Sequence, residues 1–160
     1  MLIELKLLAL IIVANGAPII VADVLRAHWA APVDGGLRLA NGQTLFGAAK
    51  TWRGLASAFV FTIPCALLLD LPALVGVLMA GGAMLGDLTS SFIKRRLRVA
   101  SSGRALGLDQ IPESLLPLLA AQSFVELSAT QIIVLVLAFV LIELLLSRVL
   151  FKLRLRNRPY

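Results

Sequence analysis

Five stretches of this chain are apolar over lengths that approach or reach the width of a lipid bilayer, and no other feature constrains its fold as strongly. A helix needs about 20 mostly apolar residues to cross the hydrocarbon core. The candidates run from Leu2 to Leu25, Thr51 to Leu69, Leu71 to Ile93, the shorter Pro112 to Leu127, and Thr130 to Phe151. In hydrocarbon every backbone polar group needs a partner within the protein, so each span is expected to be helical. "DLP" at 70–72 and "ELSAT" at 126–130 read as tight turns joining antiparallel neighbours. The expectation is an all-α membrane protein of five transmembrane helices, with residues 1–160 as a single integral membrane domain. Composition agrees: 59% of the residues are hydrophobic and 15% charged, where a soluble domain carries about a quarter charged. The opening "MLIELKLLALIIVANGAPII" has no basic run ahead of its apolar stretch and no small-residue cleavage site, so it reads as a retained span. The single cysteine, Cys65, lies in an apolar run and offers neither a disulfide nor a zinc site.

Charge placement orients the spans. The formal net charge is +6, and Lys6 is the one cation near the N-terminus. The remaining Lys and Arg residues fall between Arg26 and Arg53, between Lys94 and Arg104, and between Arg148 and Arg158. An odd number of spans puts these three regions on one side, which the positive-inside rule makes cytoplasmic. The N-terminus is then outside, the C-terminus cytoplasmic, and the short fourth span is required. The tail "LFKLRLRNRPY" reads as an anchor to anionic headgroups. In the third span, Gly82 and Gly86 are four apart, as are Gly76 and Ala80. That spacing lets helix backbones approach closely and predicts a central position in the bundle.

The same span ends in "GDLTSSFIKRR" (86–96), where a carboxylate and three hydroxyls sit at membrane depth ahead of three cations. Asp87, Ser91 and Lys94 share a helical face, with Ser90 beside them. Asp87 stands about 10 Å from the helix end at 1.5 Å per residue, so it can face a pocket open to the cytoplasm. A purely structural Asp87–Lys94 or Asp87–Arg95 pair is the plainer alternative. Asp109 and Gln110 precede the fourth span, where Asp109 either starts the helix or faces Asp87. Two carboxylates at adjacent helix ends suit Mg²⁺. Lys50, Thr51 and Arg53 stand at the start of the second span, where two cations and a helix N-terminus can receive phosphate or serve as an interfacial anchor. The glycine spacing there is not that of a P-loop. Asn15, near Pro18 in the first span, either bridges helices or reaches the same pocket. His28 carries no assigned role.

Asn15 with Pro18, "FG" with "KTWRG" (46–54), "GDLTSSFIKRR" and "LDQ" (108–110) together resemble the CDP-archaeol synthase family, integral membrane cytidylyltransferases related to phosphatidate cytidylyltransferases. The four motifs occur in family order over most of the chain. One departure stands at Pro112, where the family carries a second acid; Glu113 follows one residue later. The resemblance implies transfer of CMP from CTP to an archaetidic-acid-like lipid phosphate, with Mg²⁺, releasing pyrophosphate. It implies Asp87 and Asp109 as metal ligands and Lys94 as a further catalytic residue. Lys50, Thr51, Arg53, Lys94, Arg95, Gln110 and Asn15 would form the nucleotide and phosphate site. The implied setting is the cytoplasmic membrane, with the bilayer as partner, no nucleic acid, and a homodimer left open. A small transporter or a structural membrane subunit is the competing class. It would lack CTP binding, and the chain shows no internal repeat of the transporter kind.

Overall fold

The computed structural model describes residues 2–40, 42–99 and 107–152, with 147–152 as backbone only. The expected basic stretch around Arg104 and the tail beyond Lys152 lie outside the described residues. Five helices follow in order: α1 (Ile3–Leu25), α2 (Trp52–Leu68), α3 (Ala73–Arg96), α4 (Gln110–Val125) and α5 (Ala129–Lys152). They coincide with the five apolar stretches, shifted by no more than a few residues at either end. Among them α1, α3 and α5 are long and apolar enough to cross a membrane, while α2 is apolar and shorter, at 17 residues. Among the described residues there is no strand, only isolated bridges at Pro32–Thr51 and Arg38–Thr44.

The turns follow from local chemistry. After α2, Asp70 adopts a left-handed conformation (φ 55°). The Leu71 N–H then donates to the Ala66 carbonyl at 2.9 Å, closing the helix end. Before α5, Ser128 and Gln131 cap each other. The Ser128 N–H donates to Gln131 Oε1 at 2.9 Å, and the Gln131 N–H donates to Ser128 Oγ at 3.3 Å. Gln131 Nε2 also donates to Glu4 Oε1 at 2.7 Å, tying the starts of α5 and α1 together.

Helix α3 packs against α1, α2 and α4, as its small residues predict. A Cβ at Gly76 would lie 2.9 Å from Ile63 Cα of α2, and one at Gly82 2.4 Å from Pro117 Cα of α4. At Gly86 it would lie 2.2 Å from the Pro112 carbonyl oxygen. These three positions admit nothing larger than hydrogen. Lipid tails are as apolar as leucine, so helices in a bilayer associate through such close packing rather than through the hydrophobic effect. Leu7, Leu10, Ile11, Met79, Leu118 and Phe139 fill one core. A second layer of Ala14, Ala58, Ala80, Ala83 and Met84 lies nearer the α3 C-terminus and keeps the helices close there. Ile19, Ile20, Val60, Phe61, Leu137 and Leu141 form part of an exposed apolar exterior.

The α1–α2 connection folds back on itself and delivers Lys50. The Trp52 N–H donates to the Ala31 carbonyl at 3.1 Å, and the Val33 N–H to the Lys50 carbonyl at 2.8 Å. Asp34 holds the rest of the loop. Its Oδ1 accepts from the Gly36 N–H at 3.0 Å, and its Oδ2 from the N–H groups of Phe46 and Gly47 at 2.9 and 3.1 Å. Desolvation pushes this carboxyl up, but the N–H donations of Phe46, Gly36 and Gly47 together outweigh it and hold it below its usual range. A carboxyl so held contributes stability that is complete above its unfolded pKa and is lost as pH falls through the depressed folded value.

Two outcomes follow. Gly86→Ala lowers the melting temperature of the purified protein, with an overpacking cost of roughly 1–3 kcal/mol. Gly16→Ala, where a Cβ meets nothing within 4 Å, does not; equal melting curves for both variants would contradict the packing account. Asp34→Ala accelerates amide hydrogen exchange at Gly36, Phe46 and Gly47 at neutral pH while α3 keeps its protection, and acidification of the unmodified protein lowers the protection factors of the same three amides. Unchanged exchange in this loop would remove Asp34 as its staple.

Candidate active site

Charged and polar side chains gather at one end of the bundle, where α3 finishes and α2 and α4 begin. They lie in three successive groups along α3. The innermost surrounds Asp87, which stands one residue after Gly86 and so beside the first turn of α4. Lys50, delivered by the loop, forms an ion pair with Asp87. The Glu113 carboxyl lies within hydrogen-bonding reach of Asp87, with Lys50 and Glu143 of α5 close enough to act on it electrostatically. Asn15 Nδ2 donates to the Ile11 carbonyl at 3.0 Å and reaches across to the Glu113 carbonyl at 3.4 Å. Asn15 therefore both bridges α1 to α4 and borders this group. Ser90 Oγ donates to the Asp87 carbonyl at 3.0 Å, satisfying a hydroxyl that is fully buried.

Two turns further along, Lys94 Nζ and Asp109 Oδ1 are 2.7 Å apart, and both residues are buried. Gln110, 1% exposed, accepts from the Gly107 N–H at 2.8 Å through its side chain. Its carbonyl accepts from Ser114 Oγ at 2.7 Å. These bonds fix the start of α4. The third group lies at the very end of α3, where buried Arg95 contributes to a pocket shared with the loop.

The sequence-predicted residues thus divide. Lys50, Asp87 and Asn15 meet around Glu113, while Lys94, Asp109 and Gln110 meet at the start of α4. The contacts place Asp109 on Lys94 and Glu113 beside Asp87. Neither Lys94 nor Arg95 is the partner shown for Asp87; that partner is Lys50, from another segment. Thr51 is the N-cap of α2, its Oγ1 accepting from the Gly54 N–H at 3.3 Å. The Arg53 guanidinium donates to the His28 carbonyl, fastening the loop to the base of α1. Asp34, Arg38, Arg98 and Glu143 were not singled out from sequence. Glu143 had a usable signal, an acid inside the apolar run "LIELLL". The arginines had none, because only the docking of the loop on α3 brings them together.

The donor set around Asp87 fits a hard divalent cation. Two carboxylates in mutual contact repel unless positive charge offsets them, and Lys50 brings one unit. Among the described residues no group of three or more His, Cys, Asp or Glu side chains is placed to hold a metal ion. The protein would then supply a pair of carboxylates and leave other positions to water and phosphate oxygens, the arrangement Mg²⁺ favours.

A family model described as CarS-like CDP-archaeol synthase matches residues 67–160. The CDP-archaeol synthase of Hyperthermus butylicus is 41% identical over 117 residues, covering 68% of this chain and 67% of that protein. That of Pyrobaculum calidifontis is 31% identical over 153 residues, covering 92% and 91%. A solved structure described as an intramembrane enzyme for archaeal membrane lipid biosynthesis superposes with a TM-score of 0.73 at 28% identity, covering 89% of this chain and 90% of that one. The matched family segment contains Asp87, Lys94, Asp109 and Glu113, and the fold agrees over nearly the whole chain: the protein belongs to the CDP-archaeol synthase family.

Proposed function

We propose that this protein is a CTP-dependent cytidylyltransferase that joins CMP to an archaetidic-acid-like lipid phosphate, yielding a CDP-lipid and pyrophosphate for membrane lipid synthesis. The observation that carries the reading is the approach of Asp87 to Glu113, with Lys50 paired to Asp87, at the polar end of an apolar bundle. All five helices span the membrane as one domain, with the N-terminus outside. The bias of Lys and Arg toward the α3 C-terminal side makes that side cytoplasmic. At 1.5 Å per residue α2 and α4 rise roughly 25 Å, less than the hydrocarbon thickness of about 30 Å. Both begin at the site, so a recess opens where they fall short, deep enough for a phosphate whose tails remain between helices.

The chemistry needs charge management more than proton transfer. A non-bridging oxygen of the lipid phosphate attacks the α-phosphorus of CTP. The new P–O bond forms as the α–β anhydride bond breaks, and pyrophosphate departs with the bonding electron pair. The attacking oxygen is already anionic, so no general base is required. The one histidine, His28, is engaged with the Leu25 carbonyl outside the recess. Asp87 and Glu113 would hold Mg²⁺, which when bound neutralises and aligns phosphate oxygens. Lys50 orients Asp87 and adds a cation facing the reacting phosphates. Lys94, held by Asp109, stands two turns nearer the cytoplasm and neutralises charge as the pentavalent phosphorus forms. The N-termini of α2 and α4 add positive potential toward the same recess.

Labelled CTP, Mg²⁺ and a panel of ether- and ester-linked lipid phosphates test the proposal. Wild-type protein forms a labelled CDP-lipid; Asp87→Asn keeps its fold and loses turnover on the order of 10³-fold, the scale of losing one transition-state contact. Glu113→Gln shifts the Mg²⁺ dependence to higher concentration. Full activity in Asp87→Asn would exclude it from the mechanism. An unaltered Mg²⁺ titration in Glu113→Gln would return Glu113 to a structural part.

A further inference from the structure

Helix α4 carries a proline near its middle. Pro117 has no N–H, so the carbonyl one turn earlier in the helix loses its intrahelical donor. That carbonyl belongs to Glu113, the residue whose carboxyl approaches Asp87. At membrane depth a freed carbonyl needs another donor from the protein. Asn15 of α1 supplies it. Its Nδ2 donates to the Glu113 carbonyl at 3.4 Å and to the Ile11 carbonyl of its own helix at 3.0 Å. A primary amide carries two N–H bonds on one nitrogen, so a single side chain serves both acceptors. The bond to Ile11 holds the side chain against α1 while the second N–H crosses to α4.

The place of the gap is what gives it meaning. With the bond between residues 113 and 117 missing, the first turn of α4 is joined to the rest of the helix less firmly, as at any proline kink. That turn is the part of α4 that carries Glu113. Steric contacts with α3 bound it on one side: a Cβ at Gly82 would fall on Pro117, and one at Gly86 on the Pro112 carbonyl oxygen. Such contacts stop the turn from moving toward α3 and do nothing to stop it moving away. The Asn15 bond is attractive and comes from a third helix, α1, which itself packs on α3.

We propose that Asn15 is a positioning residue: by replacing the helical bond that Pro117 removes, it fixes the first turn of α4 and so keeps the Glu113 carboxyl beside Asp87. This rests on the reading of Asp87 and Glu113 as the Mg²⁺-holding pair of a cytidylyltransferase, and it gives Asn15 a part other than contact with the nucleotide. With both N–H bonds given to carbonyls, the amide keeps only its oxygen, which accepts hydrogen bonds and offers a phosphate no donor.

The device contains its own test, because Pro117→Ala restores the missing N–H and keeps the Cα against which Gly82 packs. Mn²⁺ titration of the detergent-purified full chain, followed through the paramagnetic resonance of the free ion, compares wild type, Asn15→Leu, Pro117→Ala and the double variant. Asn15→Leu keeps the shape of the side chain and loses its donors. It weakens Mn²⁺ binding about fivefold, the scale of one lost hydrogen bond, and speeds amide exchange in the first turn of α4 while α3 keeps its protection. Pro117→Ala alone binds Mn²⁺ as wild type does, and the double variant recovers wild-type affinity and exchange. That rescue is the outcome a general loss of packing does not produce. Wild-type Mn²⁺ affinity in Asn15→Leu overturns the proposal, as does a double variant as weak as Asn15→Leu, or a wild type that binds no Mn²⁺. A labelled-CTP assay on the same preparations separates the two readings. Rescued Mn²⁺ binding in a protein whose wild type forms no CDP-lipid would sink the cytidylyltransferase reading and leave the role of Asn15 standing. CDP-lipid formation by the wild type without rescue in the double variant would sink that role alone.

Discussion

The close approach of α3 and α4 at Gly82 and Gly86 is the contact on which the rest depends. With hydrogen in place of a side chain at both positions, the α3 backbone lies against Pro112, Leu116 and Pro117 of α4. Asp87, next in sequence, is thereby set against Glu113. Any side chain at Gly86 would wedge the helices apart at the level where the two carboxylates meet. Pro112 suits this contact, because in the first turn of α4 its missing N–H forfeits no helical bond and its carbonyl oxygen can face Gly86. Packing and chemistry are thus fixed by the same few atoms, and a lipid-embedded bundle has little other driving force with which to hold them.

Electrostatics explains why the charges are arranged as they are. A carboxylate at membrane depth costs several kcal/mol unless it is paired or open to water, and here Asp87, Asp109 and the loop's Asp34 each have partners. Lys50 meets Asp87, Lys94 meets Asp109, and the Asp34 carboxylate is surrounded by backbone donors. The cations grow denser toward the end of α3, from Lys50 through Lys94 to the arginine pocket. A polyanion entering from water would therefore meet the densest positive charge first, before it reaches the carboxylates. The loop staple at Asp34 matters because Lys50 rides on that loop; a carboxylate remote from Asp87 helps set the position of the cation that pairs with it.

Much of this was legible in the sequence. The helices appear where the apolar runs end at Asp70-Leu71-Pro72 and Glu126-Leu127-Ser128, because bilayer width and turn chemistry leave little freedom. The small residues of "GVLMAGGAMLG" announced the central position of α3, and the distribution of basic residues called for a short fourth helix. The sequence named residues that the fold gathers at one end of the bundle, but not how they pair. Helical spacing pointed Asp87 toward Lys94 or Arg95 on its own helix, whereas its partner is Lys50, distant in sequence. Local periodicity cannot see a loop that folds back onto a helix. Glu113 drew notice only as a substitute for a missing acid; the Gly86–Pro112 contact is what brings it to Asp87. Asp34 carried no signal in the sequence, because two of its three backbone bonds depend on Phe46 and Gly47 returning from the far side of the hairpin.

The central claim, that Asp87 and Glu113 together hold the divalent cation, is tested most directly by locating the ion. Crystals of the full chain with Mn²⁺ in place of Mg²⁺ and a non-hydrolysable CTP analogue give an anomalous difference map. The account predicts a manganese peak coordinated by oxygens of both Asp87 and Glu113. A peak coordinated by Asp109 with none at Glu113 would contradict it.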